Sequence, residues 1–306
     1  MPAPIAIIAY NRPNHLEKTI RALLANREAA TSELFVFSDA PKNDDQSEAV
    51  NKVRKYLRHI SGFKAIHIVE RVENYGLARS VIAAVNEVLQ SHDRVIVLED
   101  DLVTSRFFLK YMNTALDLYA NDHSVASIHG FFYDLKKTLP DTFFLRGADC
   151  LGWGTWKRAW QFLESDGALL LRKIKEQKLE FAFNLDNSYD YVAMLENQIA
   201  GKTSSWAIRW HASTFLRNMV TLNPGVSHIK HLGNDGSGTN FGSARFLDTN
   251  LATVPTPIKK IAIAEDMVVR QNLIDFFRNT FQNNTKTNQI LRRLAAFIKK
   301  FAKVGS

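Results

Sequence analysis

Arg94-Val-Ile-Val-Leu runs straight into three consecutive carboxylates, Glu99, Asp100 and Asp101, and no other stretch restricts the fold as strongly. Val95 to Leu98 suit a strand buried on both faces, which requires a sheet covered by helices on each side. Three like charges at the end of such a strand raise one another's pKa and lose hydration unless a cation or a set of donors meets them. In an open α/β sheet, the carboxyl end of a strand is also where ligands bind. Hard oxygen ligands at that position suit Mg²⁺ or Mn²⁺ carrying substrate phosphates. The alternative is a solvated acidic turn that caps the next helix through Ser105.

The neighbouring segments supply the sheet. Ile5 to Ala9, Leu34 to Phe37 and Ala65 to Val69 read as strands, each followed by apolar residues at helical spacing: Leu16, Ile20 and Leu23, then Val50, Val53 and Leu57, then a helix to about Leu89. Such alternation predicts a mostly parallel sheet with helices on both faces. Polar residues mark every strand exit: Asn11 and Arg12, Asp39, Asn74 with Arg79, and the carboxylates. Asn11, Asp39 and Asn74 also suit turns before Pro13, Pro41 and Gly76. Arg12 and Arg79 have no turn role, and a guanidinium matches phosphate oxygens in a fixed fork. Neither a Gly-rich dinucleotide fingerprint nor a phosphate-loop lysine motif follows the first strand.

Beyond Leu118 the pattern changes. Val125 to Ile128 suits another strand, and Gly152-Trp-Gly-Thr-Trp156, with Trp160 close behind, gathers three of the five tryptophans. Glycines beside Trp153 suit close approach of backbone to a flat ligand, and an indole face suits a sugar, whereas Trp160 reads as core. Leu169 to Gly201 reads as helical. Ser205 to His211 reads as a strand, with Trp206 and Trp210 on one face and Arg209 and His211 on the other. The polar, glycine-rich run from His231 to Ser243 suits a loop that orders over a ligand. His228 and His231 are read against a zinc site, since no cysteine joins them. Met267 to Phe277 reads as a helix.

A net charge of +8 raises nucleic acid or anionic lipid as partners, and its distribution decides between them. Six basic residues and no acid lie between Phe281 and the C-terminus, while the remainder shows no basic stripe interleaved with aromatics. No nucleic-acid partner is expected. Ile290, Leu291, Leu294, Phe297, Ile298 and Phe301 share one helical face within that basic tail. The tail therefore suits a membrane surface or, alternatively, docking on the protein itself or on a second copy in a homodimer. Neither a signal peptide nor a membrane span is read from the sequence, and one cysteine, Cys150, excludes a disulfide framework. A cytoplasmic protein, with peripheral contact at the inner face of the membrane, is the expectation.

Ala9-Tyr-Asn-Arg-Pro13, Ser38-Asp39, Asn74-Tyr-Gly-Leu-Ala-Arg79 and Val97-Leu-Glu-Asp-Asp-Leu102 together resemble the donor half of GT-A fold glycosyltransferases, especially family 2 and the N-acetylglucosaminyltransferase I group. Gly152-Trp-Gly154 and the stretch from Ser205 to Trp210 resemble bacterial sugar transferases of this type. The resemblance implies a GT-A α/β domain over residues 1–250, with a nucleotide-sugar half at 1–130 and an acceptor half at 131–250. Residues 251–306 follow as a helical extension.

It further implies a nucleotide-sugar donor, UDP-linked by preference, with Mn²⁺ or Mg²⁺ and a glycan or lipid-linked saccharide acceptor. Polysaccharide or lipopolysaccharide assembly in a bacterium is the setting it suggests. Ala9, Asn11, Arg12, Asp39, Asn74, Arg79, Glu99 and Asp100 would hold the donor, and Asp101 the metal. Glu99-Asp100-Asp101 departs from a literal Asp-X-Asp, though it stands in that motif's place. Trp153 and Trp206 would be sugar platforms. An inverting displacement needs a general base. Glu196, at the end of its helix near Gly201, is taken ahead of Asp190, which Tyr189 and Tyr191 flank; Asp149, Asp235 and His211 come next. A nucleotidyltransferase acting on sugar phosphates and a non-catalytic carbohydrate-binding protein are the competing readings.

Overall fold

A computed structural model describes residues 1–233 and 245–282. The first half alternates as the sequence predicts. β1 (Ile5–Ala9), α1 (Pro13–Leu24), β2 (Glu33–Ser38), α2 (Ser47–Leu57), β3 (Ala65–Glu70), α3 (Gly76–Ser91) and β4 (Arg94–Glu99) follow one another. β1 is buried along its whole length. Ile5, Ile7 and Ala9 pack with Leu16, Ile20 and Leu23 of α1, while Ala6 and Ile8 pack with Val81, Ala84 and Val85 of α3. Alternate side chains thus fill two cores, one on each face of the sheet. Proline at the first turn of α1 suits a position whose N–H has no helical partner.

After β4 come β5 (Leu102–Thr104), α4 (Phe108–Leu118), β6 (Val125–His129), β7 (Thr142–Arg146) and β8 (Trp153–Trp156). Short helices follow: α5 (Lys157–Trp160), α6 (Gly167–Glu176), α7 (Glu180–Phe183) and α8 (Tyr191–Ile199). Then come α9 (Ala207–Phe215), β9 (Val220–Pro224), β10 (Ile229–His231) and α10 (Met267–Phe277). The eight-stranded sheet has the order β3-β2-β1-β4-β8-β6-β9-β7. It is mixed rather than purely parallel: β8 pairs antiparallel with both β4 and β6, and β7 antiparallel with β9. A separate two-stranded ribbon pairs β5 with β10.

Two expectations fail for identifiable reasons. Ser205 to His211 is the approach to α9 and its first turns, not a strand. Trp206 and Trp210, four apart, enter one core, while Ile208, Ala212 and Phe215 enter another, so an apolar pattern shared between two helix faces mimicked alternation. Trp153 is the centre of a tryptophan cluster, 1% exposed, with ring centroids 5.3–6.3 Å from those of Trp160, Trp206 and Trp210. Its flanking glycines serve protein packing: a Cβ at Gly152 would lie 2.5 Å from Ile229, and one at Gly154 2.9 Å from Met112. Trp153 is therefore a core residue rather than a sugar platform. Trp153→Ala should lower unfolding free energy by about 3–5 kcal/mol, the usual loss for a buried indole. A denaturant titration with an unchanged midpoint would contradict this.

α10 packs on the rest of the chain: Val269, Leu273 and Phe277 share a cluster with Phe132 and Phe143. The basic apolar stretch from Ile290 onward lies outside the described residues, as does most of the His231–Ser243 loop, Asp235 included.

Candidate active site

One cavity of about 870 Å³ opens where β1, β2 and β4 end, and it continues beneath the loop after β7. Ala9, Asn11, Arg12, Asp39, Asn74, Glu99, Asp100, Asp101 and Trp206 all line it. Parallel pairing of β1 with both β2 and β4 explains the convergence, because it brings three strand exits to the same edge.

The carboxylates are met by donors from the first strand exit. Arg12 donates through Nη2 to Asp100 Oδ1 and through Nη1 to Asp101 Oδ2, the latter at 2.8 Å. The Tyr10 amide donates to Asp100 Oδ2 at 3.2 Å, and Thr19 Oγ1 donates to the Asp100 carbonyl at 2.9 Å. The β5–β10 register sets His231 opposite Leu102, and its Nε2 comes 3.4 Å from Asp101 Oδ2. Asp101 Oδ1 and His231 Nδ1 are buried without a hydrogen-bond partner among the described residues. His228, by contrast, is a core residue. It stacks on Tyr111 at 4.7 Å, bonds Ser105 Oγ and Thr256 Oγ1, and burial pushes its imidazole down to about 4. Histidine spacing alone concealed the difference, because Asp101 reaches His231 only through strand pairing.

Environment separates the three acids. Burial, with the charges of Asp101 and Asp100 beside it, pushes Glu99 up to about 8. Burial pushes Asp100 up to about 6 against the opposing pull of Arg12. Burial raises Asp101 too, but the hydrogen bond from His231 and the charge of Arg12 outweigh it and hold Asp101 below its ordinary value. Glu99 therefore binds its proton more tightly in the folded chain. Its contribution to stability is full below about pH 4.5 and is lost as pH rises through about 8. Glu99→Gln should raise the thermal midpoint at pH 8.5 and leave it nearly unchanged near pH 4.5. Since Glu99 faces the cavity and its water, the gain is on the order of 1–2 kcal/mol rather than the full shift. A lower midpoint at pH 8.5 would show instead that Glu99 is ionised and paired.

Other predicted residues divide. Asp39 binds the start of α3, accepting from the Tyr75 and Gly76 amides at 2.8 and 2.9 Å and from Asn74 Nδ2 at 3.2 Å. A carboxylate at a helix N-terminus meets free N–H groups and a favourable dipole. Arg79 turns outward: its guanidinium lies 3.6 Å above the Tyr75 ring and pairs with Glu73, so it does not line the cavity. Glu196 also faces away, in an exposed pair with Lys175 at 3.0 Å. Asp190 is exposed too and does not itself line the cavity. It caps α8 through the Ala193 amide at 2.9 Å, and the tyrosines flanking it, Tyr189 and Tyr191, both line the cavity.

The approach to Asp190 is a left-handed turn. Leu185, Asp186 and Asn187 have φ of 48°, 53° and 57°, each costing about 1–2 kcal/mol for a residue with a Cβ. A two-pronged bond from Arg270 of α10 to Asp186, at 2.7 and 2.8 Å, holds that turn. On the opposite wall, Gly147 has φ +89°, and a Cβ there would come 2.5 Å from the His211 ring. Tyr10, Lys42, Gln46, Tyr133 and Asp149 also line the cavity. Of these, Tyr10 belongs to the Ala9–Pro13 motif and Asp149 was a further candidate base in the sequence.

A model of glycosyl transferase family 2 matches residues 5–178, which is more than half of the chain. An Arabidopsis thaliana alpha-1,3-mannosyl-glycoprotein 2-beta-N-acetylglucosaminyltransferase is 25% identical over 174 residues, covering 53% of this chain. The aligned part is 39% of that relative's length. Among solved structures, S. aureus TarS matches 39% of this chain and 20% of its own at 16% identity and a TM-score of 0.30. A UDP-glucose pyrophosphorylase complexed with UDP-glucose matches 53% of this chain and 79% of its own at 12% identity and a TM-score of 0.32. At those scores neither structure adds to the fold described above.

Proposed function

The chain belongs to glycosyl transferase family 2, and from that premise we propose that it moves a sugar from a nucleotide-sugar donor to a hydroxyl of a glycan or lipid-linked acceptor, with inversion at the anomeric carbon. The observation that carries this reading is the convergence of Arg12, Asp39, Asn74 and the Glu99–Asp101 carboxylates on one cavity at the ends of β1, β2 and β4. Arg12 and Lys42 bring positive charge to the donor side, which suits a diphosphate. Asp39 and Asn74 shape the place of the nucleoside, and Glu99 faces the place of the donor sugar.

The residues also fit a divalent cation. Asp101 has one buried oxygen without a partner among the described residues, and His231 stands beside it. No cluster of three or more acids, histidines or cysteines forms a metal cage among the described residues. A donor-borne cation does not call for one, since Mg²⁺ is commonly held by one or two carboxylates together with substrate phosphates and water. Asp101 and His231 would hold Mn²⁺ or Mg²⁺ here. When bound, such an ion supplies charge neutralisation for the departing diphosphate. Asp190 takes the proton of the attacking hydroxyl.

Calorimetric titration of UDP, GDP and CDP sugars, with Mn²⁺ and with chelator, tests the proposal. The expected result is tight binding of one nucleotide class that weakens at least tenfold with chelator. Equal, metal-independent binding of all three would refute it. UDP-N-acetylglucosamine is the first donor to try, because the plant relative's name describes that transfer. No helix among the described residues is long and apolar enough to cross a membrane. The basic, apolar-faced tail supports peripheral contact with anionic lipid, which liposome flotation with and without residues 288–306 would detect.

A further inference from the structure

Arg12 reaches the carboxylates from a fixed base. It precedes Pro13 at the start of α1, and its carbonyl accepts from the Leu16 amide at 3.0 Å. One guanidinium then holds two acids, with Nη2 on Asp100 Oδ1 and Nη1 on Asp101 Oδ2, the latter at 2.8 Å. The two acids are not alike. Asp100 is otherwise complete: the Tyr10 amide meets its Oδ2 at 3.2 Å, and Thr19 Oγ1 meets its carbonyl at 2.9 Å. Asp101 shares its Oδ2 between Arg12 and His231, and its Oδ1 has no hydrogen-bond partner among the described residues. Both acids are buried, 2% and 4% exposed, so they depend on the guanidinium as their permanent counter-charge.

A divalent cation held by Asp101 would be a close neighbour of that guanidinium. Like charges in a cavity wall repel one another more than they would in water, where screening is stronger. Pairing with the acids does not remove the charge of Arg12; it only fixes where the charge sits. A diphosphate changes the balance, because its oxygens accept from a guanidinium fork and offset the charge of a cation at the same time. The Arg12 side chain is 22% exposed and lines the cavity that would receive those oxygens.

We infer that Arg12 competes with a divalent cation for Asp101, so that it opposes binding of the cation alone and makes that binding depend on the donor's diphosphate. By linkage, the dependence that Arg12 gives the cation on the diphosphate it gives equally to the diphosphate on the cation. Arg12 thereby keeps Asp101 from retaining a cation that brings no donor. An arginine that merely orients Asp101 toward the cation has the opposite sign, since its loss would weaken cation binding. The inference rests on the glycosyl-transfer reading and concerns the order in which that site is filled.

The test is Mn²⁺ binding to the full chain, read from the electron paramagnetic resonance of free Mn²⁺, with and without UDP and against protein-free solutions of the same composition. Arg12→Gln should bind Mn²⁺ without UDP about tenfold more tightly than the parent, and the tightening produced by UDP should shrink by about the same factor. Arg12→Lys keeps a charge but cannot fork onto both acids, so it should bind Mn²⁺ about threefold more tightly. This milder change decides the matter if Arg12→Gln, which uncovers two buried acids, does not fold. Lys42→Gln removes a charge from the same cavity without a bond to Asp101, and it should move Mn²⁺ affinity by less than about twofold. Mn²⁺ binding weakened or unmoved in a folded Arg12 variant would overturn the inference, and so would equal tightening in Lys42→Gln. A parent chain that bound neither Mn²⁺ nor UDP would instead sink the glycosyl-transfer reading; binding of both, with the wrong sign in the Arg12 variants, would sink the competition alone.

Discussion

Asp101→Asn is expected to reduce sugar transfer on the order of a thousandfold and to remove the cation-dependent part of donor affinity. Shape is kept while one negative charge is lost. The effect should be large because of how Asp101 is placed. It is buried, one of its oxygens is shared by Arg12 and His231, and the other has no partner among the described residues. Since those partners hold its pKa down, Asp101 stabilises the folded chain above its unfolded pKa and ceases to do so as pH falls. The variant should therefore also melt somewhat lower at neutral pH, opposite in sign to Glu99→Gln at pH 8.5. Donor titrations with and without Mn²⁺, on protein shown to be folded by circular dichroism, separate lost function from lost fold. Parental turnover at saturating donor would rule out the metal role of Asp101.

The first four strands were legible because their signals are local. A run of five buried residues, a proline at the first position of a helix and a carboxylate triplet at a strand end each report their structure from neighbours in sequence. Parallel pairing then follows almost automatically, and with it the grouping of Arg12, Asp39, Asn74 and the acids. The part of the chain after β4 is built by contacts far apart in sequence. His231 meets Asp101 through the antiparallel register of β5 and β10, which spacing between histidines cannot express. Trp153 bears glycines on both sides, as a ligand platform would, yet the space they leave is filled by Ile229 and Met112. Arg79 carried the right chemistry for phosphate but sits on the outer side of α3, where Tyr75 and Glu73 take it up.

The same contrast decides the choice of base. From the sequence, Glu196 has the advantage of ending a helix near a glycine turn, and Asp190 that of two tyrosine neighbours. We propose Asp190 ahead of Glu196. α8 presents Glu196 to Lys175 of α6, whereas Asp190 stands at the α8 N-terminus between two cavity-lining rings, behind a left-handed turn clamped by Arg270. An inverting displacement needs a carboxylate within reach of the acceptor hydroxyl on the far side of the donor sugar. Asp190→Asn should therefore lower kcat by roughly 10²–10⁴-fold with donor affinity nearly unchanged. Its cap to Ala193 survives in the amide, so stability should move little. Glu196→Gln should keep kcat within twofold or so, because an exposed pair contributes about 0–1 kcal/mol and touches nothing in the cavity. Arg270→Lys tests the clamp: it keeps the charge but loses the fork, and kcat should fall while the donor still binds. Parental kcat in Asp190→Asn would move the base to Asp149, a carboxylate that lines the cavity, and a product retaining the donor's configuration would exclude an inverting displacement altogether.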